Sequence, residues 1–65
     1  MVKIVSCEKI DNGNKFVFNF NPKLSPIDLL NEIELFLYDF FELNGFDYDI
    51  EEIDEEEIVI LAWRC

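Results

Sequence analysis

Residues 25–45, SPIDLLNEIELFLYDFFELNG, decide the fold because they hold the long helical pattern of the chain. Ser25 suits the N-cap, the proline after it suits the first turn, and Asp28 suits a capping-box acid near the positive end of a helix. Apolar residues recur at helical spacing with acids opposite them, which predicts an amphipathic helix to about Leu43. Gly45 is expected to end it in the left-handed conformation.

Patterns typical of strands lie on both sides of this helix, two before it and two after it. The predicted strands are 2–10, 15–20, 46–51 and 57–63. Asn12 and Gly13 tolerate the positive φ of a type I′ turn, which predicts a hairpin between the first two strands. Phe16, Phe18 and Phe20 alternate and therefore share one face of a strand, which is expected to be the core face.

The order ββαββ predicts one α+β domain over residues 1–65, with two layers: a four-stranded, mainly antiparallel sheet and the helix on one face. The least polar strands, the first and the last, are expected in the centre, which favours the order 2-1-4-3 with strands 1 and 4 parallel. That order resembles the β-grasp fold. The ubiquitin-like and sulfur-carrier families of that fold end in Gly-Gly, whereas this chain ends in Arg64-Cys65, so their carrier chemistry is not expected. A 1-2-3-4 meander and other ββαββ arrangements stay open.

Apolar side chains exceed what the core can enclose. Hydrophobic residues make up 51% of the 65-residue chain, whereas a core of this size takes up roughly 20 residues. If the phenylalanines face the helix, strand alternation predicts an uncovered apolar patch on the other face. Its members are Val5, Val17, Val59, Leu61 and Trp63. Trp63 is either an anchor for a partner or a cover for the end of the sheet.

Charge is polarised along the chain, whose net charge is −10. Residues 1–25 hold four Lys and two acids, residues 26–45 hold five acids and no base, and residues 46–65 hold eight acids and one Arg. Such a balance argues against direct binding of nucleic acid or of an anionic membrane, both of which attract basic proteins. It favours a partner with a basic surface.

The acids of residues 47–57 have two main interpretations. They are a solvated edge that prevents aggregation, or they imitate a nucleic-acid backbone, which would require a second row of helix acids on the same surface. Leu35 lies among the helix acids and is a candidate contact. The residues predicted to contact a partner are Glu32, Leu35, Asp39, Asp47, Asp49, Glu51, Glu52, Asp54, Glu55, Glu56, Leu61 and Trp63.

Catalytic and metal-binding patterns are weak. The chain has no His, which removes Ser-His and Cys-His pairs. Asp47-x-Asp49-x-Glu51 is similar to a calcium loop, but Glu52 stands where that loop needs Gly. Cys7 and Cys65 could approach each other in the 2-1-4-3 order, although reduced thiols are favoured. We therefore expect a protein without enzymatic activity, cofactor or metal.

These features predict a cytoplasmic, acidic protein-binding domain. Its most concrete form is an inhibitor or nucleic-acid mimic that docks on a basic surface of a nucleic-acid-binding protein, as an anti-defence product of a phage or mobile element would. The alternative is a structural subunit or homodimer that assembles through the open sheet face.

Overall fold

The computed structural model describes residues 2–65, which form two strands, one helix and two further strands in chain order. The elements are β1 Val2–Ile10, β2 Gly13–Phe20, α1 Pro26–Phe40, β3 Phe46–Ile53 and β4 Glu57–Arg64. The strands form one sheet, and α1 packs on one of its faces through the core. The predicted α+β class, with its ββαββ order and two layers, is confirmed.

The strands lie in the order β1-β2-β4-β3, and all three neighbouring pairs are antiparallel. The favoured order 2-1-4-3 is therefore wrong in the places of β1 and β2, and the β-grasp resemblance does not extend to the topology. The physical reason lies in β2, whose Phe16 and Phe18 are fully buried. Most side chains of β1 are exposed, so β1 occupies an edge.

The core lies between α1 and the face of the sheet that carries the alternating phenylalanines. In the β2–β4 ladder Phe16 pairs with Ile60 and Phe18 with Ile58, and all four side chains are buried. The helix contributes three buried side chains to the core, Leu29, Ile33 and Leu37. Phe41, just after the helix, and Ala62 of β4 complete it. Burying one such side chain stabilises a fold by about 1.5–3 kcal/mol.

The helix begins as predicted. Ser25 is the N-cap, and its hydroxyl accepts a hydrogen bond from the Asp28 backbone N–H at 3.2 Å. Pro26 occupies the first helical position, where a missing N–H costs nothing. The start of α1 is thus set by local chemistry alone.

The end of the helix differs from the prediction. α1 ends at Phe40, and the Leu43 N–H then donates to the Tyr38 carbonyl at 2.8 Å. Glu42 and Leu43 take the left-handed conformation, with φ of 56° and 66°. Gly45 does not, so its predicted capping role is wrong. Because the core contacts of α1 are complete by Phe41, the chain turns before it reaches the glycine.

The predicted type I′ turn between β1 and β2 is also wrong, since neither Asn12 nor Gly13 has a positive φ. Gly13 already belongs to β2 and pairs with Ile10. A Cβ at Gly13 would lie against the Ala62 carbonyl oxygen and 2.9 Å from the Trp63 Cβ. The glycine is required here because β2 and β4 approach each other closely.

Both edge strands contain a β-bulge. The register of β1 shifts between Ile4 and Ser6, and that of β3 shifts between Ile50 and Glu52, whereas the β2–β4 ladder is regular. Bulges at sheet edges interrupt the ladder and discourage edge-to-edge pairing.

The two cysteines do not bridge. Cys7 lies in β1, and Cys65 follows β4, where its N–H donates to Gly45. Because β2 separates β1 from β4, the two strands are about 10 Å apart, beyond the ~7 Å between Cα atoms that a disulfide tolerates. Both thiols are free and exposed.

Candidate protein-docking surface

The face of the sheet opposite α1 is not covered by any element of residues 2–65. Val17 pairs with Val59 and alternates with the buried phenylalanines, while Leu61 and Trp63 alternate with the buried Ile60 and Ala62. These side chains lie outside the core cluster. The apolar members of this open face are Val5, Val17, Val59, Leu61 and Trp63, which is the predicted set.

The open face is only partly accessible. Val59 is 8% exposed because the strands on both sides shield it, whereas Val5 is 54% exposed in the β1 bulge. Leu61 and Trp63 are half-buried. Together with Ile10 and the β1–β2 turn, these two side chains line an open groove of about 610 Å³. The sequence did not point to Ile10, although its position just before the Asn-Gly pair was a usable signal.

Acidic side chains border this apolar strip along β3. Asp47 pairs with Trp63, Asp49 pairs with Leu61, and both are exposed. Glu52 pairs with Val59 across the bulge. Carboxylates therefore stand beside each apolar residue of β4 on the open face: alternation places Asp47 and Asp49 there, and the bulge brings Glu52 to the same face.

Glu51, at the bulge, also points to the open face, where its carboxylate lies 3.6 Å from the Lys15 Nζ. Both side chains are more than a third exposed, so the ion pair adds well under ~1 kcal/mol to stability. Its effect on the surface is electrostatic: it neutralises one acid, and no other carboxylate of β3 is paired with a cation from residues 2–65.

The turn between β3 and β4 concentrates further acids at the end of the sheet. Asp54, Glu55 and Glu56 are exposed. The Asp54 N–H donates to the Glu57 carbonyl at 2.7 Å, and the Phe20 N–H donates to the Glu56 carbonyl at 2.9 Å. The first bond closes the turn and the second holds it against β2, so its carboxylates continue the acidic border of β3.

The predicted helix residues lie on the other layer of the molecule. Glu32 is half-buried and accepts a hydrogen bond from the Val2 N–H at 3.0 Å, which places it on the β1 side of α1. At 100° per residue, Leu35 and Asp39 share that side, and both are exposed. The two rows of acids thus occupy different surfaces. The condition for two-row mimicry of a nucleic-acid backbone is not met by this arrangement.

The opposite flank of α1 contacts β3 through a polar pair. The Tyr48 hydroxyl donates a hydrogen bond to the Glu34 carboxylate at 2.7 Å. Burial, which is the largest cause, raises the pKa of the Tyr48 phenol to about 12 together with the hydrogen bond to Glu34 and the negative charge of Glu34. The pair ties β3 to the helix and leaves the open face untouched.

The acidic side chains of residues 2–65 are not arranged as a metal centre. Within residues 2–65, no three His, Cys, Asp or Glu side chains are grouped so as to hold a metal ion. Asp47 and Asp49 lie on an extended strand rather than in a loop that wraps a cation.

The helix of the described chain is too short and too polar to cross a membrane.

The surface that unites most of the predicted contacts is the open face with its acidic border. It contains Leu61, Trp63, Asp47, Asp49, Glu51 and Glu52, with Asp54, Glu55 and Glu56 at its end. Glu32, Leu35 and Asp39 lie outside it. No protein-family model, curated protein or solved structure matches the chain, so the geometry of this surface is what bears on function.

Proposed function

We propose that the protein is a non-enzymatic binding domain whose open sheet face docks on a basic, partly apolar protein surface. One observation carries the proposal: the half-buried Leu61 and Trp63 of β4 lie on the sheet face that no element of residues 2–65 covers, and each has a carboxylate of β3 beside it. An apolar centre excludes water and supplies affinity, while the bordering charges steer the encounter and select a cationic partner.

The most concrete form of the proposal is an inhibitor of a nucleic-acid-binding protein, of the anti-defence kind that a phage or mobile element would encode. Carboxylates on alternate residues of β3 repeat every ~6.7 Å, a sparser spacing than that of DNA charges. The inhibitor would therefore compete with nucleic acid through overlap with a basic site, supported by Leu61 and Trp63, rather than through close imitation of a phosphate backbone. We place it in the cytoplasm, where Cys7 and Cys65 would stay reduced.

A matched pair of charge reversals tests the proposal. D47K/D49K changes the open-face border, and D39K/E42K changes the net charge by the same amount on the other layer. The probe is a basic DNA-binding domain without sequence preference, and the measurements are its affinity for the labelled protein and the displacement of a duplex from it.

We expect D47K/D49K to weaken binding by at least about tenfold and D39K/E42K by less than about threefold, because only the first pair lies at the contact. Wild-type affinity should fall steeply with salt. Equal loss in both variants, or an affinity that is the same at low and high salt, would contradict docking through this face.

A homodimer through the open face is the second candidate. It is favoured by the exposed Val5 and the half-buried Trp63, since two open faces would cover each other as in a β-sandwich. The acids of β3 oppose it, because two copies bring like charges together. Sedimentation at low and high salt distinguishes the two: a dimer that strengthens with salt supports self-association, and a monomer throughout removes it.

A further inference from the structure

We propose that the partner supplies an extended segment in which Lys or Arg alternates with apolar residues, and that this segment adds to the sheet as a fifth strand along the outer edge of β3. This inference rests on the proposed function and specifies how the partner is recognised. It is carried by the backbone of β3, by two exposed isoleucines and by the charge of the neighbouring residues.

The hydrogen bonds at the two ends of the β3–β4 ladder show which backbone groups are unused. The Cys65 N–H donates to the Gly45 carbonyl at 3.0 Å, and the Asp54 N–H donates to the Glu57 carbonyl at 2.7 Å. In an antiparallel ladder, hydrogen-bonded and non-hydrogen-bonded pairs alternate. Counting inward from either end gives the same result on both sides of the bulge. The residues of β3 whose N–H and C=O groups point away from β4 are Phe46, Tyr48, Ile50 and Ile53.

The side chains of those residues all lie on the helix side of the sheet. Phe46 and Tyr48 pack against the core, but Ile50 is 46% exposed and Ile53 is 57% exposed. A side chain on an added strand would bury part of this exposed apolar surface and so stabilise the contact. The edge therefore offers free hydrogen-bonding groups and apolar contacts at the same residues.

The intervening residues of β3 are acidic and face the open side. Asp47 and Asp49 use their backbone groups toward β4, so an added strand would meet them in non-hydrogen-bonded pairs, where side chains approach most closely. A cationic residue in the added strand would lie directly opposite each carboxylate. Because a strand alternates faces, its apolar residues would then lie opposite Tyr48 and Ile50.

The acids of β3 also protect the free protein. Their mutual repulsion disfavours pairing between two β3 edges, which is the usual function of charge on an edge strand. The same charges select a cationic segment of another protein. Strand addition to an exposed edge is an established mode of peptide recognition, in which main-chain bonds supply affinity and alternate side chains supply specificity.

The other edge of the sheet does not fit such a partner. On β1 the outward N–H of Val2 is already bonded to Glu32. On β1, Lys3 and Lys9 outnumber Glu8, so this edge has no net negative charge that would attract a cationic segment. The proposal therefore assigns the added strand to β3 alone.

Synthetic peptides test the proposal on the intact protein. The first peptide alternates Lys and Val over nine residues, and its control has the same composition with the Lys and Val residues in two blocks. Two further peptides carry backbone N-methyl groups, either on every Val or on every Lys. Affinity is measured by fluorescence anisotropy, and the site is located by NMR shifts and amide exchange of residues 46–53.

We expect the alternating peptide to bind at least about tenfold more tightly than the block peptide. N-methylation of Val should weaken it by about tenfold or more, because those N–H groups bond to the β3 edge, whereas N-methylation of Lys should change affinity by less than about threefold. The Tyr48 and Ile50 amides should gain exchange protection when the peptide is bound.

Protein variants provide a second readout. I53K should weaken the binding of the alternating peptide. L35K adds the same charge to the exposed helix surface and should change that affinity little. Equal affinity of the alternating and block peptides, or equal damage from both N-methyl series, would overturn strand addition. That outcome would leave docking by charge intact, because the proposed function is judged separately by D47K/D49K.

Discussion

The two edge strands, β1 and β3, lie at opposite sides of the sheet, and the helix contacts them in different ways. β1 and β3 each carry a bulge, and each receives one carboxylate from a flank of α1. On β1, Glu32 bonds the backbone N–H of Val2 and occupies part of the edge. On β3, Glu34 bonds the side-chain hydroxyl of Tyr48 and leaves the backbone free. One edge is thus partly closed, and the other stays available.

The charges of the two edges differ in the same direction. β1 carries Lys3, Glu8 and Lys9, which nearly balance, whereas β3 carries four acids and no base. An edge with mixed charge has no preference for the sign of a partner. Under the proposed strand addition, the carboxylates that protect the β3 edge from self-pairing would also select its cationic partner.

The largest loss of stability is expected from a change in β2, a central strand of the sheet that lies between the two edges. Phe18→Ala should lower the free energy of unfolding by about 3–5 kcal/mol, because it empties a fully buried site in the central strand. The measurement is denaturant unfolding followed by far-UV circular dichroism. Val5→Ala, an apolar truncation at the exposed bulge, is the control and should cost less than about 1 kcal/mol. Similar losses would mean that the centre and the edge are equally packed.

Opening the β1 edge should have the next largest effect. Glu32→Ala removes the acceptor of the Val2 N–H and should destabilise the protein by about 1–2 kcal/mol, while Glu32→Gln keeps an acceptor oxygen and should cost less. Hydrogen exchange of the Val2 amide should accelerate in the alanine variant. An unchanged exchange rate would show that Glu32 does not protect this edge.

On the β3 side, Tyr48→Phe should cost about 1 kcal/mol at pH 8 by removing the hydrogen bond to Glu34. The pKa of the Tyr48 phenol rises from 10.0 to about 12 on folding, so the neutral form is the one the fold stabilises. Its contribution is complete below pH 10 and is lost as pH rises toward 12.

The difference in unfolding free energy between wild type and Tyr48→Phe should therefore shrink over that interval. Phenolate absorbance near 295 nm follows the titration directly. A difference that stays constant from pH 8 to pH 12 would contradict the Tyr48–Glu34 bond.

The smallest effect is expected at the Lys15–Glu51 pair, which joins the acidic border to β2. Glu51→Gln should change the free energy of unfolding by no more than about 0.5 kcal/mol, because both side chains are well exposed. The same substitution should measurably weaken the binding of a basic partner. A loss of stability above ~1 kcal/mol would indicate that the pair holds the bulge of β3 in place.

Local patterns predicted the elements and the faces of the strands well. The N-cap at Ser25 and the alternation of Phe16 and Phe18 depend on neighbouring residues, so they could be found in the chain itself. The same alternation places Leu61, Trp63, Asp47 and Asp49 on one face, whereas Glu52 reaches that face only through the bulge. The turn residues were harder, since Gly13 is needed for its approach to Ala62, a residue far away in sequence.

The sequence by itself determined the ββαββ order, the polarity of the charge and the sharing of one strand face by apolar and acidic residues, because each follows from periodicity along the chain. Only the tertiary structure decided that β2 lies beside β4, that β1 and β3 form the edges, and that the helix acids are separated from those of β3. Strand order depends on which side chains together fill the space under the helix, and that is a property of all the elements packed at once.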